Sequence, residues 1–320
     1  MPFTTTHPSD RSELVEGEPF YSLVTYTLLK PNAEVVPALL NFAFQLRAFD
    51  VLPPCDAVGL LSGIDSTGLI VWSGALAFIE WLVQNPHCIQ TRLRVAKRAK
   101  AHVIELGCGS GIVAVALCAL LRSLRLADPN GQLPSSLTTV HVWATDGNPE
   151  CVSLARKNLN EQCNAACVSC AAVTASTALL RWGDLPSVQE ALQPCFHESA
   201  AASSITIIAA DVLYDAAAVP LLVSTVSEIA RMHHAGSNPS TPPGSLEWWL
   251  VYTPRSLTRA GNEAIFQALL DALAEHQWTF EVFDLPAGNV ATGFEHHPDC
   301  AVPALLGCIL VVQVTSDAAR

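Results

Sequence analysis

The sequence is poor in methionine, tyrosine and basic residues. Among its 320 residues there are 2 Met and 4 Tyr, and charged side chains make up 14%. The 17 Lys and Arg are outnumbered by 29 Asp and Glu, which leaves a net charge of −12. Each contact with a nucleic-acid phosphate needs a cation, so this balance argues against a chain that wraps nucleic acid as a whole. We expect a protein partner instead.

Long hydrophobic runs are also lacking. The longest, residues 112–121 and 301–314, fall short of the roughly 20 residues that span a bilayer, and the polar, proline-broken segment 1–19 is unlike a signal peptide. Hydrophobic residues nevertheless make up 50% of the chain, enough for a large core in one or two domains. The 11 cysteines, an odd number, favour buried thiols in a reducing compartment. We therefore expect a soluble, cytoplasmic protein.

The most informative segment is Glu105-Leu106-Gly107-Cys108-Gly109-Ser110-Gly111, which ends an apolar run. Glycines let the chain turn sharply and approach a ligand, and the run after Gly111 predicts a helix whose first N–H groups face the same space. The segment therefore predicts half of a nucleotide site, although a tight structural turn fits it equally well. A dinucleotide fingerprint requires Gly where Ile112 stands, and the Lys of a phosphate-binding loop and the Ser of a nucleophile elbow are absent. The spacing favours S-adenosylmethionine.

Strand-like and helix-like stretches alternate through the second half of the chain. The pattern predicts strands near 102–106, 140–145, 205–209, 248–252, 279–283 and 305–314, and helices after Gly111, after Pro149, at 219–232 and at 259–275. This alternation predicts a mainly parallel sheet with helices on both faces. Segments 128–137 and 233–245 are rich in Pro, Gly, Asn and Ser and predict surface loops.

Residues 1–60 are predicted to form an N-terminal extension to a domain of residues 61–320. Apolar residues at positions 39, 40, 42, 46 and 49 predict a helix there, and the polar lead is predicted to be disordered. Residues 67–72 are predicted to be extended. A helix is expected to follow from Ala75 to about Val83, because Pro86 stops it.

Ligands of open α/β sheets bind beyond the carboxyl ends of the strands. Asp146 ends one strand, where its carboxylate can hold two ribose hydroxyls or cap the helix that begins near Pro149. Trp182 offers an indole for stacking on adenine, or is a core residue. Asp211 and Tyr214 leave a later strand together: Asp211 can accept a hydrogen bond from an incoming amine, and Tyr214 can present its ring and hydroxyl. The alternative is a helix cap and a core aromatic.

In combination, these residues resemble the seven-β-strand protein lysine methyltransferases that carry an Asp-x-x-Tyr motif, within the S-adenosylmethionine-dependent class I fold. The resemblance covers residues 61–314 or so. Its most specific part precedes the glycine loop, with Thr67-Gly68-Leu69 before Trp72, then Glu80-Trp81 and Asn85-Pro86. The other matches are Glu105-Leu106-Gly107, Asp146, Trp182, Ala209-Ala210-Asp211-Val212-Leu213-Tyr214 and Arg255.

The resemblance implies a Rossmann-like fold, S-adenosyl-L-methionine as cofactor and a protein lysine as methyl acceptor. It implies Asp211 and Tyr214 as the catalytic residues. The implied cofactor residues are Trp72 at the methionine end, Glu105, Gly107, Cys108 and Gly109 around the amino-acid portion, Asp146 at the ribose, and Trp182 and Ala210 at the adenine.

Similarity is greatest to the members that act on translation elongation factor 2, so this factor is the implied substrate. Methylation of another protein side chain (His or Arg) or of a small molecule, and a non-catalytic adaptor, remain as alternatives. Two features depart from the family pattern, Ser73-Gly74 after Trp72 and Arg181 before the adenine-side tryptophan, which leaves Asp184 as a further candidate for the adenine edge.

Three polar clusters invite other interpretations. Cys163, Cys167 and Cys170 lack a second Cys or His pair nearby, and residues 295–300, rich in His and acids, lie in a Gly- and Pro-containing stretch, so we predict no metal site. The basic run within residues 92–100 has no aromatic residues for base stacking. It predicts a solvated helix or a surface for an acidic partner.

Overall fold

We describe the chain from a computed structural model. The structure describes residues 3–6, 22–28, 43–48, 67–86, 88–89, 100–126, 139–164, 173–197, 203–235, 246–255, 258–285 and 307–315. The predicted loop at 128–137, the basic run up to residue 99 and the segment 295–300 lie outside these residues.

A seven-stranded sheet forms the centre of the fold. Its strands are β4 (Lys100–Leu106), β5 (Thr139–Asp146), β6 (Val173–Leu179), β7 (Ser203–Ala210), β8 (Leu246–Tyr252), β9 (Thr279–Asp284) and β10 (Cys308–Gln313). They lie in the order β6-β5-β4-β7-β8-β10-β9. The first five are parallel to one another, whereas β10 is antiparallel to both β8 and β9.

Helices cover both faces of this sheet. They are α1 (Ser73–Gln84), α2 (Ile112–Leu126), α3 (Pro149–Leu159), α4 (Leu185–His197), α5 (Ala218–Ala235) and α6 (Arg259–Glu275). Consecutive residues of a strand point to opposite faces. Accordingly, Val103 packs in a core cluster with α1 to α3, and Ile104 in a second cluster with α4 to α6. The predicted Rossmann-like architecture, a mainly parallel sheet between two helical layers, is confirmed.

Two elements of the sheet domain were not predicted from the sequence. Strand β6 consists largely of small and hydroxyl residues (VTASTAL), so it carries little hydrophobic pattern. Helix α4 contains Pro194, which argues against a helix when only the sequence is considered. Helix α5 also continues to Ala235, so the first three residues of the predicted loop at 233–245 are helical, and residues 236–245 lie outside the described residues.

Residues Thr67–Leu69 form one turn of 3-10 helix, so the prediction that this part is extended was wrong. The turn places Gly68 against the glycine loop. The carbonyl oxygen of Gly68 lies where a Cβ on Gly109 would be, and Gly109 has φ +52°, in the left-handed region. Only glycine fits this contact at position 109 without displacement of the turn.

The N-terminal region contains strands where a helix was predicted. Strands β1 (Phe3–Thr6), β2 (Ser22–Leu28) and β3 (Ala43–Ala48) form an antiparallel sheet in that order. The helical prediction was wrong because the apolar residues of this region also fit a period of two, with Phe44 and Leu46 two residues apart. Leu46 is buried within the core cluster of α1 and α2. The remainder of the polar lead lies outside the described residues.

Candidate active site

A cavity of about 630 Å³ opens at the carboxyl ends of β4, β5 and β7, a volume typical of small-ligand sites. The structure brings to this cavity all ten residues that the sequence proposed for the cofactor and for catalysis. They are Trp72, Glu105, Gly107, Cys108, Gly109, Asp146, Trp182, Ala210, Asp211 and Tyr214. Asp184 instead accepts a hydrogen bond from the N–H of Ser187 (3.3 Å) at the start of α4, so it acts as a helix cap.

The glycine loop is tied to the end of strand β5. The N–H of Cys108 donates to the carbonyl of Thr145 (2.9 Å), and the N–H of Gly109 donates to Asp146 Oδ2 (2.9 Å). Burial raises the pKa of the Cys108 thiol well above its ordinary value, so this side chain is neutral. The loop is therefore both a tight turn and one wall of the cavity.

Asp146 does not cap helix α3. Asn148 occupies the cap position, where its side-chain oxygen accepts from the N–H of Glu150 (2.8 Å). The second carboxylate oxygen of Asp146, Oδ1, accepts from the N–H of Asn148 (2.8 Å). An ionised carboxylate can accept about four hydrogen bonds, so Asp146 keeps capacity for ligand hydroxyls after these two contacts.

Two buried polar side chains lie at the base of the cavity. Glu105 is 3% exposed, and its Oε2 accepts from the N–H of Ala114 (3.0 Å) in the first turn of α2. Burial raises the pKa of Glu105 to about 8, against the lowering effect of that hydrogen bond and with a smaller contribution from Asp146. The hydroxyl of Ser110 is buried and has no hydrogen-bond partner among the described residues. Ser110 is among the residues that line the cavity.

The Trp182 indole is half-buried. The sequence allowed either a core residue or a ring at the ligand site, and the indole takes part in both. It packs against the core of α4 to α6, and it also lines the cavity. A Cβ on Gly107 would lie 3.0 Å from its Cζ2 atom, so the ring stands beside the glycine loop. A flat aromatic surface therefore forms part of the cavity wall.

Asp211 is held by two other segments of the chain, the start of α1 and the stretch after β8. Its side chain is 2% exposed, and its φ is +60°. Oδ2 accepts from the N–H of Gly74 (3.1 Å) in the first turn of α1, and Oδ1 accepts from the hydroxyl of Thr253. A Cβ on Gly74 would lie 2.7 Å from Asp211 Cγ, which gives a physical reason for glycine at this departure from the family pattern. Asp211 thus caps a helix, but α1 rather than the helix that follows it.

Arg255 lies between two aromatic rings at the mouth of the cavity. Its guanidinium carbon is 3.4 Å from the ring centroid of Trp72 and 5.3 Å from that of Tyr214. Its Nη1 donates to the main-chain carbonyl of Asp211 (2.9 Å) and lies 3.8 Å from Asp211 Oδ1. Tyr214 is 45% exposed, so it is not the core aromatic that the sequence allowed as an alternative.

Sequence reasoning missed Gly74, Ser110 and Thr253 as parts of this site. Ser110 could have been predicted from the sequence, because it lies between two glycines of the loop. Gly74 and Thr253 carry no recognisable pattern, since their role depends on the approach of distant segments to Asp211. No group of three potential metal ligands occurs among the described residues, and the side chains of Cys163, Cys167 and Cys170 are outside that part of the chain.

Comparison with known proteins identifies similar sequences. The lysine methyltransferase family matches residues 61–235, more than half of the chain. The protein-lysine N-methyltransferase EEF2KMT of Bos taurus is 31% identical over 112 residues, which cover 35% of this chain and 30% of the bovine protein. Its Homo sapiens counterpart is 28% identical over 165 residues, 52% of this chain and 41% of the human protein. The chain thus matches less than half the length of these relatives.

Among solved structures, the crystal structure of DszA carbon methyltransferase aligns with a TM-score of 0.39 and 12% identity, over 76% of this chain and 54% of that chain.

Proposed function

The chain belongs to the lysine methyltransferase family, and from this membership we propose that it transfers a methyl group from S-adenosyl-L-methionine to a lysine of translation elongation factor 2. The observation that carries the proposal is one cavity in which a glycine loop, the strand-end carboxylates Asp146 and Asp211 and three aromatic side chains meet. We propose residues 61–320 as the catalytic domain and residues 1–60 as its extension. The start of the family match at residue 61 supports this boundary.

The residues of the cavity fit the chemistry of the cofactor. The glycine loop, with Gly107, Cys108 and Gly109, suits the polar amino-acid end, and the buried acid Glu105 lies in the same wall of the cavity. Asp146 can accept from the two ribose hydroxyls. Trp182 offers a ring face to adenine, with Ala210 as a small neighbour. Trp72 would line the methionine end.

When bound, S-adenosyl-L-methionine supplies a methyl group on a positively charged sulfur. The chain has to bring a neutral lysine nitrogen into line with that carbon, so that the nitrogen–carbon bond forms as the carbon–sulfur bond breaks. No nucleophile from the protein is needed. The proton lost by the amine passes to water.

We assign the placement of the amine to Asp211 and Tyr214. The carboxylate of Asp211 lines the cavity and keeps acceptor capacity beside its contacts to Gly74 and Thr253, so it can accept from the amine N–H. Tyr214 is exposed at the same mouth and can offer its hydroxyl or ring face. Contacts to both would limit the rotation of the amine before transfer.

Elongation factor 2 is proposed as the substrate from the motif resemblance and the match to the EEF2KMT proteins. A cytoplasmic location is part of the same proposal. It is supported by the thiols of the six cysteines that the structure describes in full, none of which forms a disulfide. The alternatives make different predictions. A metabolite methyltransferase would label no protein, and an adaptor would not turn over the cofactor at all.

The test uses purified enzyme, labelled S-adenosyl-L-methionine and unmethylated elongation factor 2. We expect label on a lysine of the factor with the wild type, and loss of turnover by about 100-fold or more in Asp211→Ala and Asp211→Asn, with binding of S-adenosylhomocysteine retained. Asn tolerates the positive φ at this position, so D211N separates the loss of the carboxylate from backbone strain. The matched control is Asp215→Asn, at an exposed position four residues away.

Wild-type turnover in D211N would contradict the role of Asp211. Absence of label from elongation factor 2, with label on another protein, would contradict the substrate and leave the reaction in place.

A further inference from the structure

Trp72 and Tyr214 flank a slot of the kind that binds organic cations, and the chain fills this slot with its own Arg255. The two rings come from different segments, one directly before α1 and the other after β7. The side chain of Arg255 is 15% exposed, so the contact is largely shielded from water. A fixed positive charge therefore lies at the mouth where the amine is proposed to enter.

The same guanidinium holds the segment that carries Asp211. Nη1 donates to the main-chain carbonyl of Asp211 at 2.9 Å and is 3.8 Å from its carboxylate. Asp211 has φ +60°, a conformation that non-glycine residues adopt only when their surroundings hold it. Arg255 therefore connects the position of Trp72, the backbone of Asp211 and the ring of Tyr214.

The charge of Arg255 matters because a lysine is protonated in water, with an ordinary pKa near 10.4, and an ammonium has no lone pair for methyl transfer. A carboxylate alone at the mouth would stabilise the ammonium form, whereas a nearby cation disfavours it. At the cavity, Asp211 is the charged residue that the structure describes after β7, and Arg255 is the one that it describes after β8. The two rings that contact Arg255 are Trp72 and Tyr214, and of these Tyr214 is titratable.

The other acidic and basic residues described at the cavity are Glu105 on β4, which its raised pKa keeps neutral, Asp146 at the end of β5, Glu150 on α3 and Arg181 after β6. The remaining titratable side chains described there are the thiols Cys108 and Cys151. All of these come from the β4, β5 and β6 side of the sheet. Arg255 is the described cation of the β7 and β8 side, next to the acid proposed to contact the amine.

We infer that Arg255 is a positioning residue that also sets the charge of the transfer site: it holds Trp72, Tyr214 and Asp211 in place, and it offsets the Asp211 carboxylate so that the mouth accepts a neutral amine rather than an ammonium. This inference rests on the proposed function. It goes further in assigning to one side chain both the placement of the rings and the protonation state of the acceptor.

The test needs a probe of charge at the transfer position that does not depend on the protein substrate. Sinefungin carries an amine, protonated at neutral pH, in place of the transferred methyl group, and S-adenosylhomocysteine has a neutral thioether there. The ratio of their dissociation constants, measured by calorimetry, isolates the local charge, because a purely structural defect weakens both ligands together.

The neutral variants Arg255→Met and Arg255→Gln should favour sinefungin over S-adenosylhomocysteine by about tenfold to a hundredfold relative to wild type, because they remove one nearby unit charge from a partly shielded site. Arg255→Lys keeps the charge but not the flat stacking surface, and should leave the ratio within about twofold. The control Arg259→Met removes an exposed arginine paired with Glu263 and should change nothing. Thermal melts identify a variant that fails to fold.

The pH profile of methyl transfer gives the second readout. In R255M and R255Q the pH midpoint of kcat should rise by about one to two units, whereas R255K should keep the midpoint and lose turnover. An unchanged ligand ratio in both neutral variants overturns the inference. If the ratio changes in the variants but the wild type labels no protein lysine, the role of Arg255 stands and the proposed function is rejected. If the wild type binds neither ligand, both fail.

Discussion

At the scale of single residues, the site depends on side chains whose ordinary behaviour is changed by their surroundings. Asp211 is a nearly inaccessible carboxylate, yet it is paired with two hydrogen-bond donors and a guanidinium. Such pairing offsets the cost of removing a charge from water. Glu105, on β4 in the same cavity, has no cation among its described contacts and is neutralised by its raised pKa instead.

The raised pKa of Glu105 predicts how stability depends on pH. The folded protein holds this proton up to about pH 8, whereas the ordinary pKa is 4.5. The contribution to stability is therefore complete below pH 4.5 and is lost as the pH rises through 8. Between these values the free energy of unfolding should fall by up to about 1.4 kcal/mol per pH unit from this one group. Glu80 has the same sign, because burial raises its pKa to about 7.

Denaturant unfolding of the ligand-free protein at a series of pH values measures this slope. Glu105→Gln can still accept from the Ala114 N–H and should show a flatter dependence, while Glu190→Gln, at an exposed position, should behave as the wild type. An equal slope in Glu105→Gln and wild type would show that Glu105 is not protonated in the fold.

The ten residues proposed from the sequence all reach the cavity. All but Trp72 do so because they lie at the end of a strand or in the segment that directly follows one; Trp72 lies directly before α1. A parallel sheet brings such ends together whatever the loops do. Gly74 and Thr253 could not be found in this way. Gly74 contacts Asp211 from more than a hundred residues away in the chain, and Thr253 contacts it from the end of the neighbouring strand β8. Neither contact can be read from the identity of the residue alone.

At the scale of elements, strongly patterned segments were predicted well and weakly patterned ones were not. Helix α6 has the predicted bounds, Arg259 to Glu275, because its apolar residues recur at helical spacing. Strand β6 and helix α4 were missed, since one has few large apolar residues and the other contains a proline. The strands of the N-terminal region were mistaken for a helix, because a short segment can satisfy both periods.

The start of helix α3 offers a test at this scale. Asn148 caps the helix through the N–H of Glu150, so Asn148→Ala should lower the free energy of unfolding by about 1 kcal/mol. Asn148→Asp keeps an acceptor at the same place, and a negative charge there suits the helix dipole. It should match or exceed the wild type in the same denaturant titration. If N148A is as stable as wild type, the cap contributes nothing.

At the scale of the whole molecule, the fold places the site where the carboxyl ends of the strands meet the N-termini of the helices on one face of the sheet. Helices α1 to α3 on one face carry Trp72, Ser110 and Asn148 at or beside their N-termini, and the strand ends supply the carboxylates. The parallel sheet could be predicted from alternation alone. The small antiparallel sheet of β1, β2 and β3 could not, and Leu46 joins it to the main core. No helix in the described part of the chain is long and apolar enough to cross a membrane.

The central claim is that this cavity moves a methyl group from S-adenosyl-L-methionine to a protein lysine. The most direct measurement is the transfer of labelled methyl into an extract of cells that lack this protein, with the labelled residue identified by mass spectrometry, using the wild type and D211N side by side. The account predicts methyllysine with the wild type, on elongation factor 2, and none with D211N. Label on a residue other than lysine, or no labelled protein from an enzyme that binds the cofactor, would contradict it.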